Sequence, residues 1–187
     1  MSHVDLFGAT LPEPAPAMDM SAVIDGAYRY ELRRTWDKAK PILPCCMLNP
    51  STADHEKNDP TIRRLIEFAT NWGYGGLVVV NLFAFRSPSP KDLPADLDRA
   101  IGPKNNEYVD GAFNLARHRN TPALAAWGNL PPHLTIVSTR LMERARHHFV
   151  NLVCLGTTLG GFPKHPMARG QHRVPSDQQP VMFARGL

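Results

Sequence analysis

The sequence predicts an α/β protein: a three-layer α/β/α sandwich around a central, mostly parallel four-stranded sheet with one added edge strand. Two observations carry this expectation. Short apolar runs alternate along the chain with segments of helical period. The run "LVVVNLFAF" is apolar at nearly every position, as a strand covered on both faces must be. Such alternation calls for right-handed crossovers, which place helices on the faces of a parallel sheet. At 187 residues, with 43% apolar and 20% charged residues and no internal repeat, a single domain with a full core is expected.

Residues 1–22 are rich in Pro and Ala without a period, which predicts a flexible arm, leaving 23–187 as one α/β domain. "AYRYELRRTW" alternates aromatic or Leu with charge, the pattern of a half-exposed strand at a sheet edge. "KPILPCCMLN" reads as a buried strand with its prolines ahead of the apolar centre. Asp59-Pro60 then supplies an N-cap and a first-turn proline, and Ile62, Leu65, Ile66 and Ala69 fall on one helical face. "GYGG" stops that helix, because glycine tolerates the left-handed backbone of a helix exit. "LVVVNLFAF" is the next strand. "RSPSPKDLPADLDRAIGP" is loop or short turn, and "NNEYVDGAFNLARHR" is a second helix burying Tyr108, Val109, Ala112, Phe113 and Ala116. "PALAAWGN" is a third buried strand. "PPHLTIVSTRLMERARHHF" keeps helical period through Leu134, Val137, Leu141 and Ala145, and "NLVCLGTTLGG" is a fourth strand entering a Gly-rich loop. The remainder, "KHPMARGQHRVPSDQQPVMFARGL", has no period and reads as irregular.

No run approaches the ~20 apolar residues of a membrane span, and the N-terminus lacks the basic and apolar regions of a signal peptide. A cytoplasmic protein without a membrane partner is expected. Cys45, Cys46 and Cys154 sit inside apolar runs without metal-like spacing, so they read as small buried residues. The histidines show no ligand spacing either, so no metal site and no cofactor are expected. A net charge of +4 and a pI near 9.1 permit a polyanionic partner without requiring one.

In an open parallel sheet, ligands bind beyond the carboxyl ends of the strands. The residues there, polar or Gly/Pro at every strand end, are Asn49, Pro50, Ser51 and Thr52 after the first buried strand, Asn81 closing the second, Trp127 and Gly128 after the third, and Thr157 through His165 after the fourth. Asn81 is the one polar side chain in its apolar run. Left unpaired it would cost about 1–3 kcal/mol, so it either ties down loop backbone or reads a ligand, and a carboxamide matches the edge of a nucleobase. His165, held extended by the proline after it, is either a surface residue or a positioned acid, base or anion donor. Asp54 and Asp59 read first as caps of the loop and helix. Arg63 and Arg64 at the helix start, and Arg86 after Asn81, are candidates for phosphate or other anion contacts.

The ordered motifs "YRYELRRTW", "MLNPSTAD", "DPTIRR", "GYGGLVVVNLFAFR", "AAWG" and "CLGTTLGGFPKHP" closely resemble a bacterial and phage family catalogued as domain of unknown function 1643. The resemblance runs from about Tyr28 to about Ala168. The family pattern has a Lys after the Gly-Thr step and an aromatic residue after His-Pro; this chain carries Thr158 and Met167 there. More distantly, the motif order is similar to that of the uracil-DNA glycosylase superfamily. That resemblance implies a fold with a four-stranded parallel sheet between helix layers. It implies Asn49-Pro50-Ser51 as the first catalytic motif, Asn81 as reader of the base edge, Trp127-Gly128 at the third strand end, and His165-Pro166 as the loop that holds the leaving base. Phe83 or Phe85 would be its stacking aromatic, and no match to the superfamily's DNA-wedge motif follows His-Pro, where "MARGQHR" stands.

On this reading Asn49 and His165 are catalytic. Pro50, Ser51, Thr52, Asp54, Asn81, Arg86, Trp127, Gly128 and Thr157 bind substrate, and the partner is a nucleobase, nucleotide or nucleic acid. The expected function is a nucleobase- or nucleic-acid-acting enzyme working on an N-glycosidic bond or a modified base. The alternative is a non-catalytic nucleotide or nucleic-acid binding module on the same fold.

Overall fold

The computed structural model describes residues 18–186. It contains seven strands, β1 (Asp19–Asp25), β2 (Tyr28–Thr35), β3 (Ile42–Met47), β4 (Gly76–Asn81), β5 (Ala123–Ala125), β6 (Leu152–Cys154) and β7 (Val181–Ala184). Four helices accompany them, α1 (Pro60–Asn71), α2 (Leu97–Ile101), α3 (Asn105–Arg119) and α4 (Thr135–His147). The strands form one mixed sheet in the order β1-β2-β4-β3-β5-β6-β7. The pairs β4–β3, β3–β5 and β5–β6 are parallel; β1–β2, β2–β4 and β6–β7 are antiparallel.

The sheet is therefore wider than four strands and an edge. β2 lies second from the edge, because β1 covers it. Most of the arm expected over residues 1–22 lies outside the described residues, but residues 19–22 belong to β1. The segment expected to be irregular after His165 ends in β7. Both added strands are sheet edges with mostly exposed side chains, so neither has the apolar face by which a strand announces itself.

Strand alternation sorts the core into two layers. Leu43, Cys45, Leu77, Val79, Leu124 and Val153 face α1, where Ile62, Leu65, Phe68 and Ala69 meet them. Cys46, Val78, Val80, Ala125 and Leu152 point the other way, onto Val109, Ala112 and Phe113 of α3 and Val137 and Leu141 of α4. Each wholly buried Leu or Phe in these layers contributes about 1.5–3 kcal/mol. The cysteines are free and buried among them.

The local signals that start and stop α1 act as the sequence predicts. Asp59 Oδ1 accepts from the Ile62 amide at 2.8 Å, and Pro60 opens the first turn. At the far end Gly73 takes φ +86°, Tyr74 N–H reaches Ala69 O at 2.8 Å and Gly73 N–H reaches Thr70 O at 3.0 Å. This 6→1 and 5→2 pair closes the helix.

Chain direction explains which helix covers which face. From β3 the chain moves one way to β4 with α1 between. It then moves the opposite way to β5 and β6, with α3 and α4 between. Right-handed crossovers travelling in opposite directions must use opposite faces. The loop leaving β3 thus rises on the α1 face while those leaving β4 and β5 rise on the other, which opens a crevice at the carboxyl end of β3. Among the described residues, no helix is long and apolar enough to cross a membrane.

Candidate functional site

A cavity of about 320 Å³ lies at that crevice, on the α1 face. Asn49 and Ser51 line it from the loop after β3, Asn81 from the end of β4, and His165 from the loop after β6. The structure thus gathers these four sequence candidates into one place. Arg29 of β2, Asp59 and Thr61 at the start of α1, and Ser87 complete its polar wall.

Asn81 follows Leu77 and Val79 in the alternation, so its side chain points toward α1. It is 1% exposed, and among the described residues neither Nδ2 nor Oδ1 has a hydrogen-bond partner. The backbone beside it is fixed from the opposite face, where Asn105 Nδ2 donates to Asn81 O at 2.9 Å and to Leu82 O at 3.2 Å. Asn49 is held differently. Its Nδ2 donates to Ser87 O at 2.8 Å and Pro50 O at 3.2 Å. Both amide hydrogens are committed to backbone, which leaves Asn49 only an acceptor, Oδ1, to offer a ligand.

His165 is constrained in a complementary way. Its Nδ1 accepts from the Met167 amide at 3.1 Å, which places the ring proton on Nε2 and makes that atom a donor. Burial pushes the imidazole below its ordinary value, against the opposing attraction of Asp59, and favours this neutral tautomer. The loop is anchored to the β5 end by Gly128, whose N–H donates to Pro163 O at 3.0 Å. Gly128 has φ +79°, and a Cβ there would stand 3.4 Å from His165 Cβ. Gly128 therefore places His165 and does not line the cavity itself.

Arg29 and Asp59 are the charged members of the wall that sequence reading left out of the site. Arg29 is 3% exposed. Its Nη1 donates to Ala53 O at 2.6 Å, and its Nε is buried without a partner among the described residues. Desolvation lowers the guanidinium to about 10, with Asp59 opposing the drop, so it remains a cation at neutral pH. A β-bulge delivers it. Val23 pairs with Glu31 and Ile24 with Arg29, so Tyr30 is the unpaired extra residue. The bulge resets the alternation. Tyr28 and Tyr30 stack on one another, and Tyr30 on Tyr108 of α3, while Arg29 turns to the α1 face with Leu32 and Arg34. Strict alternation would have sent Arg29 the other way.

Other candidates stand elsewhere. Pro50 contributes its carbonyl, which accepts from the Ser87 amide at 2.9 Å. Thr52 and Thr157 are exposed. The Asp54 carboxylate caps its own turn, accepting from the Glu56 and Lys57 amides at 2.8 Å each, and these bonds hold it below the usual carboxylate range. Arg34, wholly buried, clasps the same loop: its Nε donates to Asn58 Oδ1 at 2.6 Å and its Nη2 to the Asp54 and Lys57 carbonyls. Arg63 is exposed and donates to Asn58 O at 2.8 Å. Arg64 lies over the Phe68 ring and binds Glu67, Ser176 and Val174. Arg86 neighbours Arg29 with its own Nε unpartnered, but does not line the cavity. Trp127 points into the opposite layer, edge-on to Phe183. Phe83 is core, and Phe85 packs edge-on to Tyr28, so neither reaches the cavity.

No curated protein and no solved structure gives a significant match to this chain. The residues that line the cavity, from Arg29 to His165, all fall within residues 29–167, the span matched by the family described as Protein of unknown function (DUF1643), and the chain belongs to that family.

Proposed function

We propose that the protein is a nucleobase- or nucleic-acid-acting hydrolase with a uracil-DNA-glycosylase-like pocket, cleaving an N-glycosidic bond. The observation that carries this reading is Asn81: a buried carboxamide with both ends unpartnered, lining a cavity, has the donor–acceptor pair of a base edge to satisfy. Parallel strands with helices on both faces support the same reading at the level of fold.

The surrounding groups divide the chemistry. Asn49 Oδ1 accepts a hydrogen from water and orients it. The water oxygen bonds to the sugar carbon, the glycosidic bond breaks, and its electron pair leaves with the base. His165 Nε2–H donates to the anion developing on that base, a donor fixed in advance where charge appears. The water's proton needs an acceptor. Asn49 cannot take it, and His165 already carries a proton on Nε2 with Nδ1 occupied, so Asp59 receives it. Among the described residues, Asp59 is the one carboxylate that lines the cavity.

One observation favours a second reading, a nucleotide-binding module without turnover: among the described residues, the lining includes no aromatic ring on which a base could stack. Crystals soaked with free bases and nucleotides separate the two. On the first reading a base is held by Asn81 with Asn49 and His165 beside its glycosidic position. Oligonucleotides carrying modified bases are then cleaved, and Asn49→Ala abolishes cleavage while binding persists. Binding without cleavage of any substrate selects the second reading. Bases found away from Asn81 overturn both.

A further inference from the structure

A larger cleft, about 560 Å³, lies on the opposite face of β4 between α3 and α4. Of the residues given a part in the glycosidic chemistry, only Asn81 borders it, and its side chain faces the first cavity. Leu82, Val109, Val137 and Leu141 make an apolar floor. Asn105 lines its inner end, 2% exposed. Because Asn105 Nδ2 is committed to the Asn81 and Leu82 carbonyls, its Oδ1 is held in one orientation, buried and without a partner among the described residues. A fixed acceptor of this kind is destabilising until a donor meets it.

The charges around the cleft are unevenly satisfied. Asp110 is neutralised within the protein by Arg144, whose Nη1 donates to its two oxygens at 2.8 and 2.6 Å, and its Oδ1 lies 3.0 Å from His148 Nε2. Arg140, also lining the cleft, is exposed and pairs with no carboxylate among the described residues. Glu143 is exposed beside it.

We propose that this cleft is a second ligand site, for a small organic acid whose flat apolar body carries a ring N–H. The N–H donates to Asn105 Oδ1, the body lies on the apolar floor, and the carboxylate meets Arg140. This site is independent of what the first cavity does, since its acceptor, its floor and its cation are not shared with that cavity.

Two probes of nearly equal shape test it: indole-3-acetate, which has the N–H, and naphthalene-1-acetate, which lacks it. Binding is followed by amide NMR shifts at Val109 and Leu141 and by calorimetry. Indole-3-acetate is expected to bind about tenfold more tightly, because the naphthyl ring leaves Asn105 Oδ1 unpaired. Asn105→Ala should erase that preference. Arg140→Gln, a surface change that leaves the fold intact, should weaken both acids several-fold. Equal affinity for the two probes in the unaltered protein overturns the role of Asn105. Absence of shifts at the cleft with either acid at millimolar concentration overturns the site.

Discussion

Asp59 holds two positions at once, and a single isosteric change separates them. As the cap of α1 it accepts from the Ile62 amide, a role that asparagine fills as well. Asp59→Asn is therefore expected to keep the helix cap and base binding while removing turnover, with some loss of thermal stability because the buried Arg29 guanidinium loses an opposing charge. Asp59→Ala should lose both turnover and about 1 kcal/mol of stability, measured by urea denaturation. Turnover that survives in Asp59→Asn would assign the proton to another group. His165 makes a pH prediction. Its folded-state value lies below the ordinary 6.5, so the unfolded chain binds this proton more readily. Its contribution to stability is complete above about 6.5 and falls as pH drops below that value. Plotting Tm against pH should show a steeper acid limb for the wild type than for His165→Gln. Asn49, Asn81 and His165 were legible in the sequence because polar residues at strand ends stand out against apolar runs. Asp59 was hidden by its own capping role, which already explained why a carboxylate stood before Pro60. Arg29 was hidden by Tyr30, since alternation read without a bulge sends an arginine to the wrong face.

At the scale of elements, helices were read more closely than strands. The span of α3 coincides with the segment read from its apolar spacing, because a helix repeats its signal over several turns. β1 and β7 gave no comparable signal: they bury little, and their sheet membership comes from backbone pairing with β2 and β6. The exit of α1 offers a clean test of a local rule. Gly73 has open space around its absent Cβ, so Gly73→Ala meets no clash and suffers only from a left-handed backbone. We expect a loss of about 1–2 kcal/mol in urea denaturation. A neutral result would mean that the helix end can re-form with another closure.

For the molecule as a whole, the two core layers on either face of one sheet make the cysteines reporters of global opening. Cys45, Cys46 and Cys154 are buried, and burial pushes the Cys46 thiol up to about 12. Thiol reagents should therefore modify the protein no faster than it unfolds, and the rates should rise together with urea. Fast modification of the native protein would show that one layer opens by itself. The layered architecture was legible because right-handed crossovers follow from strand–helix alternation alone. The width of the sheet was not, since edge strands with exposed side chains carry no periodic apolar face.

The clasp of Arg34 bears on the order in which these parts form. The loop of residues 53–58 beside the cavity is tied to β2 by hydrogen bonds from Arg29 and Arg34 across 20 to 24 positions of chain. Helix α1, by contrast, can begin from contacts three and four residues apart. Long-range closure is the slower event, so the mouth of the cavity should acquire its shape after the helix that borders it. In pulse-labelling during refolding, protection of the Asp54 amide should trail that of Leu65. Until the hairpin of β1 and β2 has docked, the chain would hold a helix and a sheet but not the cavity that Arg29 and Asn49 line.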